Sequence, residues 1–378
     1  MLDRSRERGD IISFGGGAPS LPPPLGLLNE FNRLLKEDAL RSFAYTGTRG
    51  IPALREAIAN DVKKYGDVDF DPFTEIIITT GATESIFSSL MCLIDPGDEV
   101  IISNPTYLGY KEMIELAGGR AKTISVGVEN NYQPAAEQLK DVISSKTKAV
   151  ILLSPDNPTG RIIDESFVKA LVNLAEENDF WIVSDDIYKH IIYEGNHVWV
   201  SRYSGAKEHT ITVCSFSKEA GMPGMRLGYT LAPKPVIESI EKIQQYSTLA
   251  PESLGQFALV TFLNENMKEP YLRDSVKAYV QKRDFMGRMI QKHLPQARTT
   301  NPAGAYYFFV DIRPYLTRIN RTEEDFAETL LAQRSVALIP GRFFGENGKG
   351  HVRLTFVTEP EIRIEEGIQR IGQHLHRD

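Results

Sequence analysis

Lys218 stands in an unusual place for a lysine. It closes the run Ser215-Phe216-Ser217-Lys218, just past the apolar stretch Ile211-Thr212-Val213, and Glu219-Ala220-Gly221-Met222-Pro223-Gly224-Met225-Arg226 follows. Lysine ordinarily sits on a solvated face. At the end of a buried strand, desolvation or a neighbouring cation lowers its pKa and leaves the amine nucleophilic enough to form a Schiff base. Arg226, eight residues on, offers a planar fork suited to phosphate or carboxylate. Two glycines and a proline between them oblige the chain to turn back instead of continuing as helix.

Four other segments could do chemistry, and each also has an ordinary structural explanation. Thr79-Thr80-Gly81-Ala82-Thr83-Glu84 places small residues where a helix would open, exposing N–H groups to an anion; Thr-Gly-Ala is equally a common strand-to-helix turn. Ser154-Pro155-Asp156-Asn157-Pro158-Thr159-Gly160 is a rigid turn under any reading, and it could aim the Asn157 amide into a site. In Val183-Ser184-Asp185-Asp186-Ile187-Tyr188 a carboxylate at a buried strand end needs a cation, unless Asp185 or Asp186 caps a helix. Arg353 interrupts an alternating strand and is either a clamp for an anion or an outward-facing strand charge.

The elements that must position these groups are legible in the apolar pattern. Ile76-Ile77-Ile78-Thr79, Val100-Ile101-Ile102, Val150-Ile151-Leu152-Leu153, Trp181-Ile182-Val183 and Ile211-Thr212-Val213 are short, nearly continuous apolar runs. Such runs fit strands covered on both faces, hence parallel pairing. Helical spacing fills the gaps between them, as in Glu165–Asn178, so the order predicts a doubly wound α/β lobe. Strands at 306–311, 337–339 and 351–356 and helices at 323–333 and 360–375 predict a smaller α+β lobe. The expected division is 1–40 as an N-terminal arm joining the small domain, 41–285 as the large domain and 286–378 as the C-terminal small domain. Ligands in such sheets bind beyond the carboxyl ends of the strands, which is where the segments above fall.

Composition excludes several classes. Of 378 residues, 42% are hydrophobic and 25% charged, and the net charge of −7 is opposite to the basic footprint of a nucleic-acid binder. Cys92 and Cys214 are too few for a disulfide framework or a four-thiolate zinc site, and the histidines show no ligand spacing. No apolar run is long enough to span a membrane and the N-terminus lacks a signal-peptide core, so a cytoplasmic protein is expected.

Taken in order, these segments resemble the class I/II aminotransferases, pyridoxal 5′-phosphate (PLP) enzymes of fold type I. The resemblance runs from about Ile12 to the C-terminus and rests on Asn157-Pro-Thr-Gly160, Asp185-x-x-Tyr188 and Ser215-x-x-Lys218 with Arg226. It implies that Lys218 bonds covalently to PLP, that Asp185 pairs with the pyridine nitrogen, and that Tyr188 and Asn157 hydrogen-bond the phenolic oxygen. Tyr107 matches the aromatic residue stacked on the ring. Arg226, Ser215 and the backbone at Gly81, Ala82 and Thr83 match the phosphate site. Tyr45 matches a tyrosine that reaches the phosphate of the neighbouring subunit, which implies a homodimer with shared active sites. Arg353 and Gly17 match the groups that hold the substrate α-carboxylate.

The implied reaction is ping-pong transfer of an amino group from an L-amino acid to a 2-oxo acid such as 2-oxoglutarate, with aspartate, aromatic, alanine or aminoadipate donors open. One aspartate-specific subgroup carries lysine at the position of Thr83, which this chain lacks. The same fold and lysine also serve C–S β-lyases. A PLP-sensing regulator fused to a DNA-binding domain is not expected, because about ten residues precede the match. Gly345-Glu346-Asn347-Gly348-Lys349-Gly350 lacks P-loop spacing and is expected to be a surface loop. Tyr306-Tyr307-Phe308-Phe309 is expected to serve mainly the core, with a ring edge near the substrate. Segment 247–251 is expected to approach the partner's cofactor.

Overall fold

The structure, a computed structural model, describes residues 11–376. Its strands are β1 (Ile12–Ser13), β2 (Ile76–Thr79), β3 (Glu99–Asn104), β4 (Arg120–Ser125), β5 (Thr147–Leu153), β6 (Trp181–Asp185), β7 (Thr210–Ser215), β8 (Gly228–Leu231), β9 (Tyr307–Asp311), β10 (Val336–Ala337), β11 (Ile339–Pro340) and β12 (His351–Thr355). Seven form one sheet in the order β2-β8-β7-β6-β5-β3-β4. From β3 to β7 the strands are parallel, while β8 is antiparallel to both its neighbours.

Successive side chains on a strand point to opposite faces, and here both faces are covered. Val150, Leu152 and Ile182 pack under Phe167, Val168 and Leu171 of the helix Glu165–Asn178. Ile151, Leu153 and Val183 belong to the core on the other side, with Ile86 and Leu90 of the helix Ala82–Leu93. This is why the apolar runs were continuous. β4 had no such run: Arg120 and Lys122 are exposed on an edge strand, where charge discourages pairing with another chain. β8 follows the turn-back that glycine and proline dictated. The helix Phe216–Glu219 ends, Pro223–Met225 forms a tight turn, Arg226 takes left-handed backbone (φ 54°), and β8 then returns alongside β7.

In the second lobe β9, β12 and β11 form an antiparallel sheet, backed by the helices Glu323–Arg334 and Glu361–His376. Thr322 caps the first of these by accepting from the Asp325 N–H at 3.1 Å. The single strand expected at 337–339 is two: β10 pairs with β1, and β11 pairs with β12 in the other sheet. Leu338, fully buried, lies where the chain passes between them.

The N-terminal arm is divided. β1 pairs parallel with β10, and Phe14 packs so tightly on Gly367 of the C-terminal helix that a Cβ there would lie 2.5 Å from its ring. The helix Leu25–Glu37 instead buries Leu27 and Leu34 with Ala258 and Leu259 of the large lobe. At the other boundary, the helix Lys268–His293 runs unbroken through position 285. We propose that this helix is a spine shared by the two lobes.

Gly228 marks the tightest joint between sheet and site. A Cβ there would meet the Ala82 N, the Gly81 C and the Cys214 O, each at 2.8 Å, all of them backbone atoms. Gly228→Ala is therefore expected to lower stability by about 1–3 kcal/mol, seen as a lower urea midpoint at unchanged slope. A midpoint equal to the parent's would contradict this packing.

Candidate active site

The carboxyl ends of β2, β3, β5, β6 and β7 open into one cavity of about 600 Å³. Its wall includes Lys218, Asp185, Tyr188, Asn157, Tyr107 and Arg353, and also Gly17, Ala82, Thr83, Ser215 and Arg226. Gly81 stands just behind, as the residue before the helix Ala82–Leu93. The structure therefore brings together every expected site residue except Tyr45. That side chain is 88% exposed and lies off this wall.

Lys218 reaches into the cavity from the turn after β7. Its Nζ donates to the carbonyl of Gly17 and lies 5.7 Å from the Tyr188 ring centre and 5.5 Å from that of Tyr306. Burial, then the positive charges of Arg353 and Arg226, bring the amine down from 10.5 to about 7. Gly17 must lack a side chain, since a Cβ would fall 2.1 Å from the Tyr307 hydroxyl.

Asp185 ends β6 and is almost fully buried. Its Oδ2 accepts from the Tyr110 hydroxyl at 2.6 Å and its Oδ1 from the Ile187 N–H at 3.3 Å. Burial raises its carboxyl to about 7, against the lowering effect of the Tyr110 bond. None of the described residues supplies a cation within ion-pair distance of it.

Arg353 is not an outward-facing strand charge. It is 6% exposed, lying 4.4 Å over the Tyr307 ring and 5.1 Å over Phe344. Nη1 donates to Asn157 Oδ1 at 3.1 Å and Nη2 to the Gly15 carbonyl at 2.6 Å, while Nε is buried without a partner. Arg226 donates to the Pro223 carbonyl at 3.0 Å, and its guanidinium lies against Gly81, where a Cβ would come within 2.7 Å of Nη2. Among the described residues neither arginine has a carboxylate partner. Beside Arg226 is the N-terminus of the helix Ala82–Leu93, whose first N–H groups have no intrahelical acceptor. Ser215 Oγ accepts from Ser217 N–H at 3.1 Å and so starts the short helix carrying Lys218.

These are the requirements of a small anionic aldehyde with a basic ring nitrogen. Such a ligand meets a neutral amine for its carbonyl, a cationic corner with free N–H groups for its anion, and a buried carboxyl lacking a cation for its ring. PLP fits this donor set.

A sequence model described as aminotransferase class I and II matches residues 9–371. The chain belongs to this family. An aspartate aminotransferase of Pyrococcus abyssi is 33% identical over 99% of this chain and 94% of its own length. An aspartate/prephenate aminotransferase of Thermus thermophilus is 32% identical, covering 100% of this chain and 94% of the relative. Among solved structures, the Thermus thermophilus aspartate aminotransferase with maleate has a TM-score of 0.91 at 32% identity, covering 99% and 94% of the two chains. An aromatic aminotransferase from Pyrococcus horikoshii has a TM-score of 0.91 at 30% identity, covering 98% and 97%.

One residue of this aminotransferase site was not foreseen. Tyr110, in the helix Gly109–Leu116, holds Asp185, and nothing in the local sequence points it at a carboxylate. Tyr307, expected mainly in the core with a ring edge near the substrate, does both: it is buried, its hydroxyl bonds that of Tyr188 at 2.8 Å, and its ring lies under Arg353. In segment 247–251, Ser247, Thr248 and Leu249 are exposed and Pro251 is buried, and Thr248 Oγ1 donates to Glu84 Oε1 at 2.9 Å.

The amine near 7 has a direct consequence. Below that pH Lys218 gains a proton and loses its lone pair; above it, the neutral form saturates. In the cofactor-free aminotransferase, reductive methylation of Lys218 should fall about tenfold per unit well below pH 7 and level off above pH 8, roughly one unit past its midpoint. Labelling that still climbs towards the ordinary 10.5 of an exposed lysine would contradict the assigned environment.

Proposed function

We propose that this aminotransferase holds PLP on Lys218 and transfers the amino group of an L-amino acid to a 2-oxo acid, with 2-oxoglutarate as the acceptor. The observation that carries the reading is a buried amine, its pKa lowered to about 7, near two arginines without acid partners and a buried carboxyl without a cation. The family is PLP-dependent, and the residues here suit that cofactor. When bound, PLP supplies an aldehyde that captures amines and a ring that takes up the electrons of the substrate's Cα–H bond.

The chain's own groups have separate tasks. Asp185 keeps the ring nitrogen protonated, and Tyr110 keeps Asp185 in place. Arg353 occupies Asn157 Oδ1, which leaves the Asn157 amide N–H to donate to the phenolic oxygen together with the Tyr188 hydroxyl. Tyr107 covers one face of the ring. Arg226, Ser215 and the N–H groups after Gly81 hold the phosphate. Arg353, with an unused Nε, and the Gly17 backbone receive the substrate carboxylate. Lys218 Nζ would hold and move the proton taken from the substrate Cα.

Tyr45 completes the site of a second copy in this reading. Leu40, Phe43 and Tyr45, within six residues of chain, are 71–90% exposed. Ser253 and Gln256 hold their segment in place through Ser42 and Thr46, at 2.5 and 3.2 Å. A homodimer would cover it.

Aspartate and aromatic amino acids are the first donors to test, since relatives bearing those names match nearly the whole chain. The same relatives favour transfer over C–S elimination. A donor-by-acceptor screen with product analysis decides between them: new amino acid from 2-oxoglutarate supports transfer, whereas pyruvate and ammonia from a cysteine conjugate would mark a lyase. Losing charge-assisted bonds of about 1.5–3 kcal/mol, Arg353→Ala should raise KM for the amino acid about 10- to 100-fold. PLP should remain bound, and an unchanged KM would remove Arg353 from the substrate site.

A further inference from the structure

Behind the cavity lies a second set of charges that the reaction does not use. Lys189 directly follows Tyr188, and Glu219 directly follows Lys218. Their side chains are 1% and 2% exposed and form an ion pair through Lys189 Nζ and Glu219 Oε1. Lys189 also donates to the Tyr229 hydroxyl at 3.2 Å. Glu219 Oε2 faces Lys268 Nζ at 3.8 Å, and Lys268 donates to Asp61 Oδ2 at 2.5 Å. His190 Nε2 lies 3.5 Å from Glu219 Oε1, and burial together with the nearby lysines keeps this imidazole neutral. None of Asp61, Lys189, Glu219 and Lys268 lines the cavity.

Buried ion pairs are poor stabilisers. Removing two charges from water offsets most of their attraction, and well-packed apolar replacements are often as stable. Stability alone therefore does not explain this network; its geometry does. The pair joins a turn and a short helix at the residues next to Tyr188 and Lys218, and Lys268 and Asp61 join it to the helices Lys268–His293 and Pro52–Gly66. We propose that the Lys189–Glu219 pair is a positioning device that fixes the short helix carrying Lys218 against the turn carrying Tyr188, just past Asp185. The inference rests on the aminotransferase reading of the same site and adds two residues that act through their neighbours. Misplacing the amine by an ångström can slow the reaction about 10²-fold without changing how substrate binds.

The test compares the parent with Glu219→Gln, Glu219→Asp and the double variant Lys189→Met/Glu219→Leu, each loaded with PLP. Stability, the visible circular dichroism of the bound chromophore, kcat and KM are measured. Glu219→Gln strands Lys189 and should lower both stability and kcat. The double variant should regain stability while kcat stays about 10- to 100-fold down, with weaker visible dichroism and little change in KM. Glu219→Asp keeps the charge but shortens the link, so kcat and dichroism should fall while the protein stays folded; it decides the matter if the double variant does not fold. A stable double variant, or Glu219→Asp, with parental kcat and dichroism would overturn the proposal alone. A parent protein that forms no imine band would overturn the cofactor reading and this inference with it.

Discussion

A primary amine in water at neutral pH is almost wholly protonated, and in that form it has no electron pair to offer a carbonyl. The architecture around position 218 answers this constraint. The side chain is enclosed at the end of a buried strand and faces two guanidinium groups, so its charged form is doubly disfavoured, by lost hydration and by repulsion. The arginines serve twice, since the cations that discourage a charge on the lysine are also those left without acids and ready for an anion. In the proposed function, the cavity that would receive an anionic aldehyde thereby also prepares the amine that would capture it.

Asp185 mirrors this arrangement. Its carboxyl, also brought to about 7, is unfavourable to ionise until a cation arrives on the open side. In the proposed complex, the protonated ring nitrogen of PLP would supply that cation, so binding and ionisation would reinforce each other. Asp185 ends β6, and Lys218 lies in the short helix that follows the neighbouring parallel strand β7, whose register pairs Asp185 with Val213. The sheet matters to chemistry through that register, and the helices matter by covering both faces so the strand ends stay dry. Tyr110, Tyr307 and the Lys189–Glu219 pair hold individual side chains within this frame.

Most of the large lobe was legible because its strands are buried on both faces and spell continuous apolar runs. What escaped was whatever burial did not mark. β4 is a charged edge strand, β8 is short and opens on glycine, and the change of sheets at Leu338 leaves no signal in an apolar stretch. The same division holds at the site. Lys218, followed by a forced turn-back and Arg226, stood out in its local pattern. Asp185, Asn157 and Arg353 each had an ordinary structural reading too and gained their meaning from family order. Tyr307 and Tyr110 act across more than seventy residues of chain, through Tyr188 and Asp185, and only the folded geometry shows such contacts. Tyr45, exposed and off the cavity wall, had a place only through the resemblance.

The central claim concerns one nitrogen atom, and chemical trapping addresses it directly. Protein saturated with PLP is treated with borohydride, digested, and mapped by mass spectrometry. The account predicts a single pyridoxyl phosphate adduct, on the peptide containing Lys218, in near-stoichiometric yield. An adduct on another lysine, or labelling spread over surface lysines with position 218 unmodified, would contradict it.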